Sequence, residues 1–156
     1  MREAADRPFV VVDFDPDILE GFIYLVVSNQ GRTIARDVRF TFDPPLSSTF
    51  DDTGYGAAFM AMFSSGLPTL SPGRRITVLF DAVRQRFNSD DTLPDTYTAT
   101  ITYQGEASRQ YSDALLLDLA AYKNRLSVTR HTVHDIYGVL EKIRKLLDKA
   151  VGKGLT

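Results

Sequence analysis

Residues 21–42, GFIYLVVSNQGRTIARDVRFTF, decide the fold because two extended apolar stretches flank a short turn signal. In the first stretch, residues 22–27 are apolar at every position, so both faces of an extended chain are apolar and the strand is predicted to be central in its sheet. In the second stretch Val38, Phe40 and Phe42 alternate with polar residues, as in a half-buried strand. Gly31 can adopt the positive φ of a short loop, so the two strands are predicted to pair as a hairpin around the Asn29-Gln30-Gly31 turn.

Four more segments have the alternation or apolar content of strands, and turn-forming residues separate them. They cover residues 9–14, 76–80, 97–103 and 111–119. In the last segment Leu115, Leu117 and Leu119 are predicted to point inward and Leu116 outward. The segment AAFMAMF at 57–63 is either a short helix or an edge strand. Because no long helix separates the strands, the sequence predicts about seven antiparallel strands in a β-sandwich.

After residue 130 the spacing at which apolar residues recur changes from two residues to an average of three and a half. The apolar residues are Val133, Ile136, Leu140, Ile143, Leu147 and Ala150. This spacing predicts one C-terminal amphipathic α-helix over residues 131–153, which either docks on the sandwich or pairs with a second chain. Docking is favoured, since the repeat is short for a coiled coil. The predicted division is a helical stub or linker at 1–7, a sandwich at 8–121, a linker at 122–130 and the helix.

Composition excludes several classes of function. Cysteine is absent, which rules out disulfides, thiol catalysis and zinc sites with cysteine ligands. The formal net charge of -2 gives no basis for a nucleic-acid partner. No apolar run is long enough to span a bilayer, and the first nine residues lack the apolar centre of a signal peptide. The chain as given is therefore expected to be soluble, with the cytoplasm slightly favoured.

The carboxylates of Asp13, Asp15 and Asp17 follow an apolar strand, as does the nucleophile of haloacid-dehalogenase-type phosphatases. The alternating strands and helices of that fold are missing, so we interpret this motif as an acidic turn. A looser calcium site that joins the turn to Asp51, Asp52 or Asp90 is a second interpretation. His131 and His134 share a helix face but have no clear third ligand. We therefore predict no catalytic residues, no cofactor and no metal.

Two surfaces are the candidates for binding a partner. The first is the methionine- and phenylalanine-rich segment at 57–63, which either closes an end of the sandwich or offers an adaptable apolar surface. The second is any uncovered side of the C-terminal helix, whose basic residues are interpreted as a solvated face. The predicted contact residues are Phe59, Met60, Met62, Phe63, Ile136, Leu140, Ile143 and Leu147.

The segment Asp95-Thr96-Tyr97-Thr98-Ala99 resembles the start of strand F in immunoglobulin-like domains. In those domains a tyrosine bonds back to the preceding corner, and this resemblance assigns that role to Tyr97. More broadly, RPFVVVDF, LVVSNQGRTIARDVRFTFDPPL and TVHDIYGVLEKIRKLL resemble a group of uncharacterised bacterial proteins. In that group a sandwich often follows an N-terminal membrane-anchoring helix. The resemblance implies an immunoglobulin-like β-sandwich and a membrane contact only through a segment absent from this chain.

These observations predict a non-catalytic interaction or accessory module, expected to be the soluble part of a membrane-anchored bacterial protein. Its partner would be another protein or a second copy in a homodimer. The alternative is a small-ligand or carbohydrate-binding module that uses the same loops, and a hydrolase ranks third.

Overall fold

The computed structural model describes residues 6–88 and 93–154, without the side chains of Phe59, residues 124–136 and residues 153–154. Within these residues, seven antiparallel strands form two sheets, which confirms the predicted β-sandwich. The first sheet has the order β1-β2-β5, formed by β1 (Val10–Asp15), β2 (Phe22–Asn29) and β5 (Arg75–Ala82). The second has the order β4-β3-β6-β7, formed by β4 (Leu67–Leu70), β3 (Ala35–Asp43), β6 (Thr96–Gln104) and β7 (Gln110–Asp118).

Three helices and four short 3-10 turns complete the described chain. The helices are α1 (Ala61–Ser65), α2 (Val83–Asn88) and α3 (Lys123–Gly154). The 3-10 turns are at Asp51–Thr53, Ala57–Phe59, Glu106–Ser108 and Ala120–Tyr122. The last turn leads directly into α3.

The core lies between the two sheets, and most of its strand residues are those that the alternation in the sequence predicts to point inward. Phe14 and Phe80 of the first sheet are in ring contact, with centroids 4.8 Å apart, and Tyr97 of the second sheet meets the edge of the Phe80 ring. Leu117 is buried whereas its neighbour Leu116 is 73% exposed, as the alternation predicts. β2 pairs with both β1 and β5, so the prediction that it is a central strand is confirmed.

The predicted hairpin of β2 with β3 is wrong, because the two strands belong to different sheets. The buried Asn29 side chain holds the crossover between the sheets. Its Nδ2 donates to the carbonyl oxygens of Thr33 (2.9 Å) and Leu70 (3.0 Å). Its Oδ1 accepts from the backbone N–H groups of Phe9 (3.1 Å) and Gly31 (2.9 Å). One amide therefore joins the approach to β1, the crossover and the end of β4.

Gly31 is needed in this crossover for a different reason from the one predicted. Its φ is outside the positive range, so the interpretation as a hairpin glycine is wrong. A Cβ at this position would lie 2.3 Å from the carbonyl oxygen of Arg7 and 2.5 Å from the amide nitrogen of Phe9. Real Cβ atoms do not approach backbone so closely. Glycine therefore allows the crossover to pack against the segment that precedes β1.

Three local features refine the assignments made from the sequence. Of the two alternatives for the segment at 57–63, the structure has the helical one, a 3-10 turn followed by α1, and the seventh strand is β4. The polar connection between β5 and β6 contains most of α2. In the predicted helical stub, Asp6 and Arg7 form a bend, and residues 1–5 lie outside the described residues.

The C-terminal helix is longer than predicted and is exposed over its described side chains. α3 has 32 residues and begins at Lys123, so the predicted linker at 122–130 is mostly helical. That prediction followed the polar composition, yet residues 123–137 contain no proline or glycine to stop a helix. The main contacts of α3 are with α2 and with the turn at Ala120–Tyr122. The large apolar side chains of residues 137–151 are 47–66% exposed, so the described part of the chain leaves them largely uncovered.

None of the helices in the described part of the chain combines the length and the apolar character that a bilayer crossing requires.

Candidate interaction surface

One face of α3 carries large apolar side chains that the rest of the described chain leaves uncovered. Their exposed fractions lie between 47% and 66%. We call this set the apolar face of α3, and it comprises Tyr137, Val139, Leu140, Ile143, Leu146, Leu147 and Val151. Single exposed leucines are ordinary, but a contiguous apolar stripe on a soluble protein marks a contact surface.

The opposite face of α3 is charged, so the helix is amphipathic. Glu141, Lys142, Lys145, Asp148 and Lys149 are all exposed. Both signs occur along this face, as expected for a helix surface that stays in water. The large apolar and the charged side chains of α3 thus lie on different faces of the helix.

The predicted contact residues of the helix all belong to this surface where their side chains are described. Leu140, Ile143 and Leu147 are part of the apolar face of α3. The side chain of Ile136 lies outside the described residues. Sequence reasoning did not select Tyr137, Val139, Leu146 and Val151, because they lie beside the narrow heptad stripe and not on it.

The segment at 57–63 contributes much less to an interaction surface than predicted. Phe63 is buried and meets the rings of Phe40 and Phe42, with centroid distances of 5.4 and 5.5 Å. Met62 is half-buried against the same core. Both are therefore core residues and not contact residues, since α1 closes the edge of the sandwich over β3. Met60 is exposed, and the side chain of Phe59 lies outside the described residues.

The early carboxylates are engaged in local contacts. Asp15 accepts from Arg75 Nη2 (3.0 Å) and, through its other oxygen, from the backbone N–H of Asp17 (2.8 Å). Asp13 accepts from the backbone N–H of Phe14. These contacts support the interpretation of the motif as a structured acidic turn.

Asp51, one of the carboxylates of the weighed calcium site, is engaged in a local contact. Asp51 accepts from the backbone N–H and the hydroxyl of Ser48, at 3.0 and 3.1 Å. Among the described residues no group of three or more histidine, cysteine, aspartate or glutamate residues is placed to hold a metal ion. Asp90 and the side chains of His131 and His134 lie outside the described residues.

A buried ion pair beneath the end of the sandwich was missed by sequence reasoning. Arg86 of α2 and Asp81 of β5 are 3.0 Å apart, and their side chains are 1% and 0% exposed. Arg86 also donates to the Tyr97 hydroxyl (2.9 Å) and to the carbonyl oxygens of Ser47 and Pro94 (2.8 and 2.6 Å). Asp81 accepts from the backbone N–H and the hydroxyl of Thr49.

This network ties three connections of the fold to one another. It joins the loop after β3, the α2 connection and the start of β6. Asp81 has both its oxygens occupied by these partners, and Arg86 lies over the Phe80 ring at 4.9 Å. A charge pair this deeply buried, with its hydrogen bonds directed to backbone loops, serves to fix loop positions. We therefore assign it a structural role.

A second polar cluster joins the segment before β1 to the second sheet. The Tyr103 hydroxyl donates to Asp113 Oδ2 (2.6 Å) and accepts from Arg7 Nη2 (3.0 Å). The Arg7 guanidinium lies over the ring of Tyr111 at 4.3 Å. Burial, followed by the hydrogen bond to Asp113, raises the pKa of Tyr103 above its usual value.

This raised pKa predicts a loss of stability at alkaline pH. The folded protein holds the Tyr103 proton more tightly than the unfolded chain does. The cluster's contribution is therefore complete below the unfolded pKa of 10.0 and decreases as the pH rises through the folded value. Urea unfolding of the Tyr103→Phe variant between pH 8 and 11 is expected to show a weaker decline than the parent protein. The control is Tyr55→Phe, since Tyr55 is 87% exposed; parallel curves for all three proteins would contradict this prediction.

A cleft of about 900 Å³ lies between the sandwich and α3. Its walls include Thr49 and Phe50 from the loop after β3, Arg84 and Gln85 of α2, and Tyr137 of α3. Tyr137 also belongs to the apolar face of α3, so the cleft and that face adjoin.

Comparison with known proteins places the sandwich in one family. No curated protein and no solved structure matches the chain significantly. One family matches residues 1–123, which contain all seven strands and end at the first residue of α3. The chain belongs to that family, which is described as a domain of unknown function (DUF8453).

Proposed function

We propose that this protein is a non-catalytic interaction module that joins copies of its own β-sandwich through the apolar face of α3. One observation carries the proposal. Seven large apolar side chains between residues 137 and 151 are 47–66% exposed on a helix that projects from a complete sandwich. A helix with such a face needs a second apolar surface to cover it.

Apolar burial is the term that favours association over a solvated helix. Burying the exposed half of each of these side chains would contribute on the order of 1 kcal/mol per residue. This gain is opposed by the ordering of rotamer-rich side chains, at about 0.5–1.5 kcal/mol each, and by the loss of translational and rotational freedom. The branched aliphatic residues that dominate this face have comparatively few rotamers to lose.

The proposal includes an immunoglobulin-like arrangement of the sandwich. In support, β3, β6 and β7 share one sheet and β1, β2 and β5 the other, as strands C, F, G and A, B, E do in that fold. β4 differs from the constant-type arrangement, since it pairs with β3. Tyr97 departs from the corner pattern, because its hydroxyl bonds to the Arg86 side chain of the preceding connection and the backbone carbonyl oxygen that it meets, at 3.3 Å, is that of Ser47, 50 residues earlier.

We favour self-association over the alternative that the protein binds a small ligand. The cleft that would serve a ligand is walled in part by Tyr137, which belongs to the face that association would cover.

Two substitutions on the apolar face are expected to abolish self-association. In the Leu140→Glu, Leu147→Glu double variant, each chain would have to bury two carboxylates in the contact, at a cost of several kcal/mol each. Glutamate preserves helix propensity, so the helix itself is retained. Light scattering after size-exclusion chromatography is expected to give the mass of one chain for the variant and a multiple of it for the parent protein.

The matched control is Lys145→Glu, which changes the net charge by the same two units on the exposed charged face of α3. It is expected to assemble as the parent protein does. A parent protein that stays monomeric up to about 100 μM would contradict the proposal. So would a monomeric parent protein that binds vesicles of anionic phospholipid, because the apolar face would then cover a lipid surface.

A further inference from the structure

The end of the sandwich opposite to α3 is basic, although the whole chain carries a formal net charge of -2. The starts of β1, β3, β5 and β7 meet the ends of β2, β4 and β6 there. We call this the basic end. It holds six of the nine arginines between residues 6 and 123: Arg7, Arg32, Arg36, Arg74, Arg75 and Arg109. The acids of the same strand ends and connections are Asp6 and Glu106.

Three arginines of the basic end have no counter-charge among the described residues. Two others are paired with carboxylates, at 3.5 and 3.0 Å. By contrast, the side chains of Arg32, Arg36 and Arg74 are exposed and make no hydrogen bond or ion pair within the part of the chain that the structure describes. Cations on one surface repel each other, and a bound anion relieves this repulsion.

A pocket of about 600 Å³ lies beside two of these unpaired arginines. Its lining includes Arg32 and Arg36 from the crossover between the sheets and Gln104 and Ser108 from the connection between β6 and β7. Small-molecule sites usually have volumes of about 300–1,000 Å³. Guanidinium groups bind phosphate and carboxylate groups through paired hydrogen bonds. The pocket therefore has the size and the charge to hold a small anionic ligand.

A buried hydroxyl at this pocket lacks a hydrogen-bond partner. Thr33 belongs to the pocket lining, and its Oγ1 is buried without a partner among the described residues. Nearly all buried polar groups in proteins are hydrogen-bonded, so an unsatisfied one needs an explanation. A hydroxyl between two arginines in the sequence can donate to the oxygen of an anion that those arginines attract.

The backbone around the pocket is fixed without a ligand. The Arg32 N–H donates to the carbonyl oxygen of Arg7 (3.2 Å), and the Asn29 amide donates to that of Thr33 (2.9 Å). The connection between β6 and β7 is closed by a bond of 2.8 Å from the N–H of Gly105. A site that is formed in advance loses less conformational freedom when its ligand binds.

From the unpaired guanidinium groups, the unsatisfied hydroxyl and the pocket together, we infer that the basic end binds a small molecule through a phosphate or carboxylate group. Arg32 and Arg36 hold the oxyanion, and Thr33 donates a hydrogen bond to it. Glu106 also lines the pocket and repels a second negative charge, so the rest of the ligand is neutral. This site lies at the opposite end of the sandwich from α3 and from the cleft beside it, so it leaves the proposed self-association unaffected.

An NMR titration of the isotope-labelled intact chain with inorganic phosphate, at constant ionic strength, tests this inference. The expected result is a saturable shift of the backbone amide signals of residues 32–36 and 104–108. A parallel titration with acetate shows which of the two oxyanions the pocket prefers. If neither anion gave a saturable shift of these signals, the inference would be overturned.

Charge removal separates a specific site from general attraction. Arg32→Gln with Arg36→Gln is expected to weaken the binding of the preferred anion about tenfold or more, because both charged donors are lost. The matched control is Arg39→Gln with Arg84→Gln, which removes two exposed arginines outside the pocket lining. Its effect is expected to stay within about twofold, since solvent and salt screen distant exposed charges. Equal weakening by both double variants would overturn the inference, because net charge alone would then explain the attraction.

Thr33→Val tests the hydroxyl by replacing it with a methyl group of similar size. The variant is expected to bind the anion about tenfold more weakly, because one donor to a charged group is lost. Its stability to urea without a ligand is expected to be equal to or higher than that of the parent protein, since the hydroxyl has no partner to lose. A variant that is less stable but binds as the parent protein does would show that the hydroxyl serves the fold and not a ligand.

Discussion

Replacing Arg86 by leucine is expected to lower the free energy of unfolding by about 3–5 kcal/mol. The Asp81 carboxylate would remain fully buried without its counter-charge. The Tyr97 hydroxyl and the carbonyl oxygens of Ser47 and Pro94 would lose a charged donor at the same time. Because small domains are stable by only about 5–15 kcal/mol, this loss is large enough to bring the variant close to unfolding. Urea denaturation followed by circular dichroism measures it.

The matched control is Arg84→Leu, which removes the same side chain from an exposed position of α2. Its effect is expected to stay within about 0.5 kcal/mol. If both variants lost the same stability, the buried pair would not be what fixes the loops at this end of the sandwich.

Removing α3 is expected to leave the sandwich folded while abolishing assembly. The core lies between the two sheets, and none of its described members comes from beyond Tyr122. A chain of residues 1–123 keeps Lys123, whose Nζ lies 2.6 Å from Asp95 Oδ2, and therefore keeps this ion pair. The whole apolar face of α3 is lost. The shortened chain is therefore expected to unfold cooperatively on heating and to have no means of self-association.

The sandwich was predictable where one face of a strand meets water and the other meets the core. β6 shows this clearly, since buried Tyr97, Ala99, Ile101 and Tyr103 alternate with threonines. The exposure of Leu116 beside the buried Leu117 follows from the same period of two. In β2 the unbroken apolar run correctly indicated a strand with neighbours on both sides.

The pairing of β2 with β3 could not be predicted from the turn between them. A short turn with asparagine and glycine suits a hairpin and a crossover between sheets equally well. What decides is that the Asn29 side chain bonds to Phe9 and Leu70, which lie 20 and 41 residues away. Local sequence patterns carry no information about such partners.

The Arg86 network was hidden because a charged residue in a polar stretch is normally exposed. The available signal was the spacing of Val83, Arg86 and Phe87, which places the arginine on the same helix face as two apolar residues. Asp81, five residues earlier, could then have been considered as its partner.

The candidate surface was only partly predictable. The heptad spacing placed Leu140, Ile143 and Leu147 on one face of a helix, and all three are exposed there. It could not say whether that face would be covered by the sandwich. For Met62 and Phe63, composition suggested an adaptable surface, yet their ring and core contacts depend on β3, about 20 residues earlier.

One measurement tests most directly whether the sandwich folds without α3 and whether α3 is the element that joins the chains. It compares, by light scattering, the molar mass of the chain of residues 1–123 with that of the intact chain. We expect the mass of one chain for the shortened protein and a multiple of the single-chain mass for the intact protein. A shortened protein that aggregates would show that α3 covers part of the sandwich, and one that assembles like the intact protein would place the contact elsewhere. Either result would contradict this account.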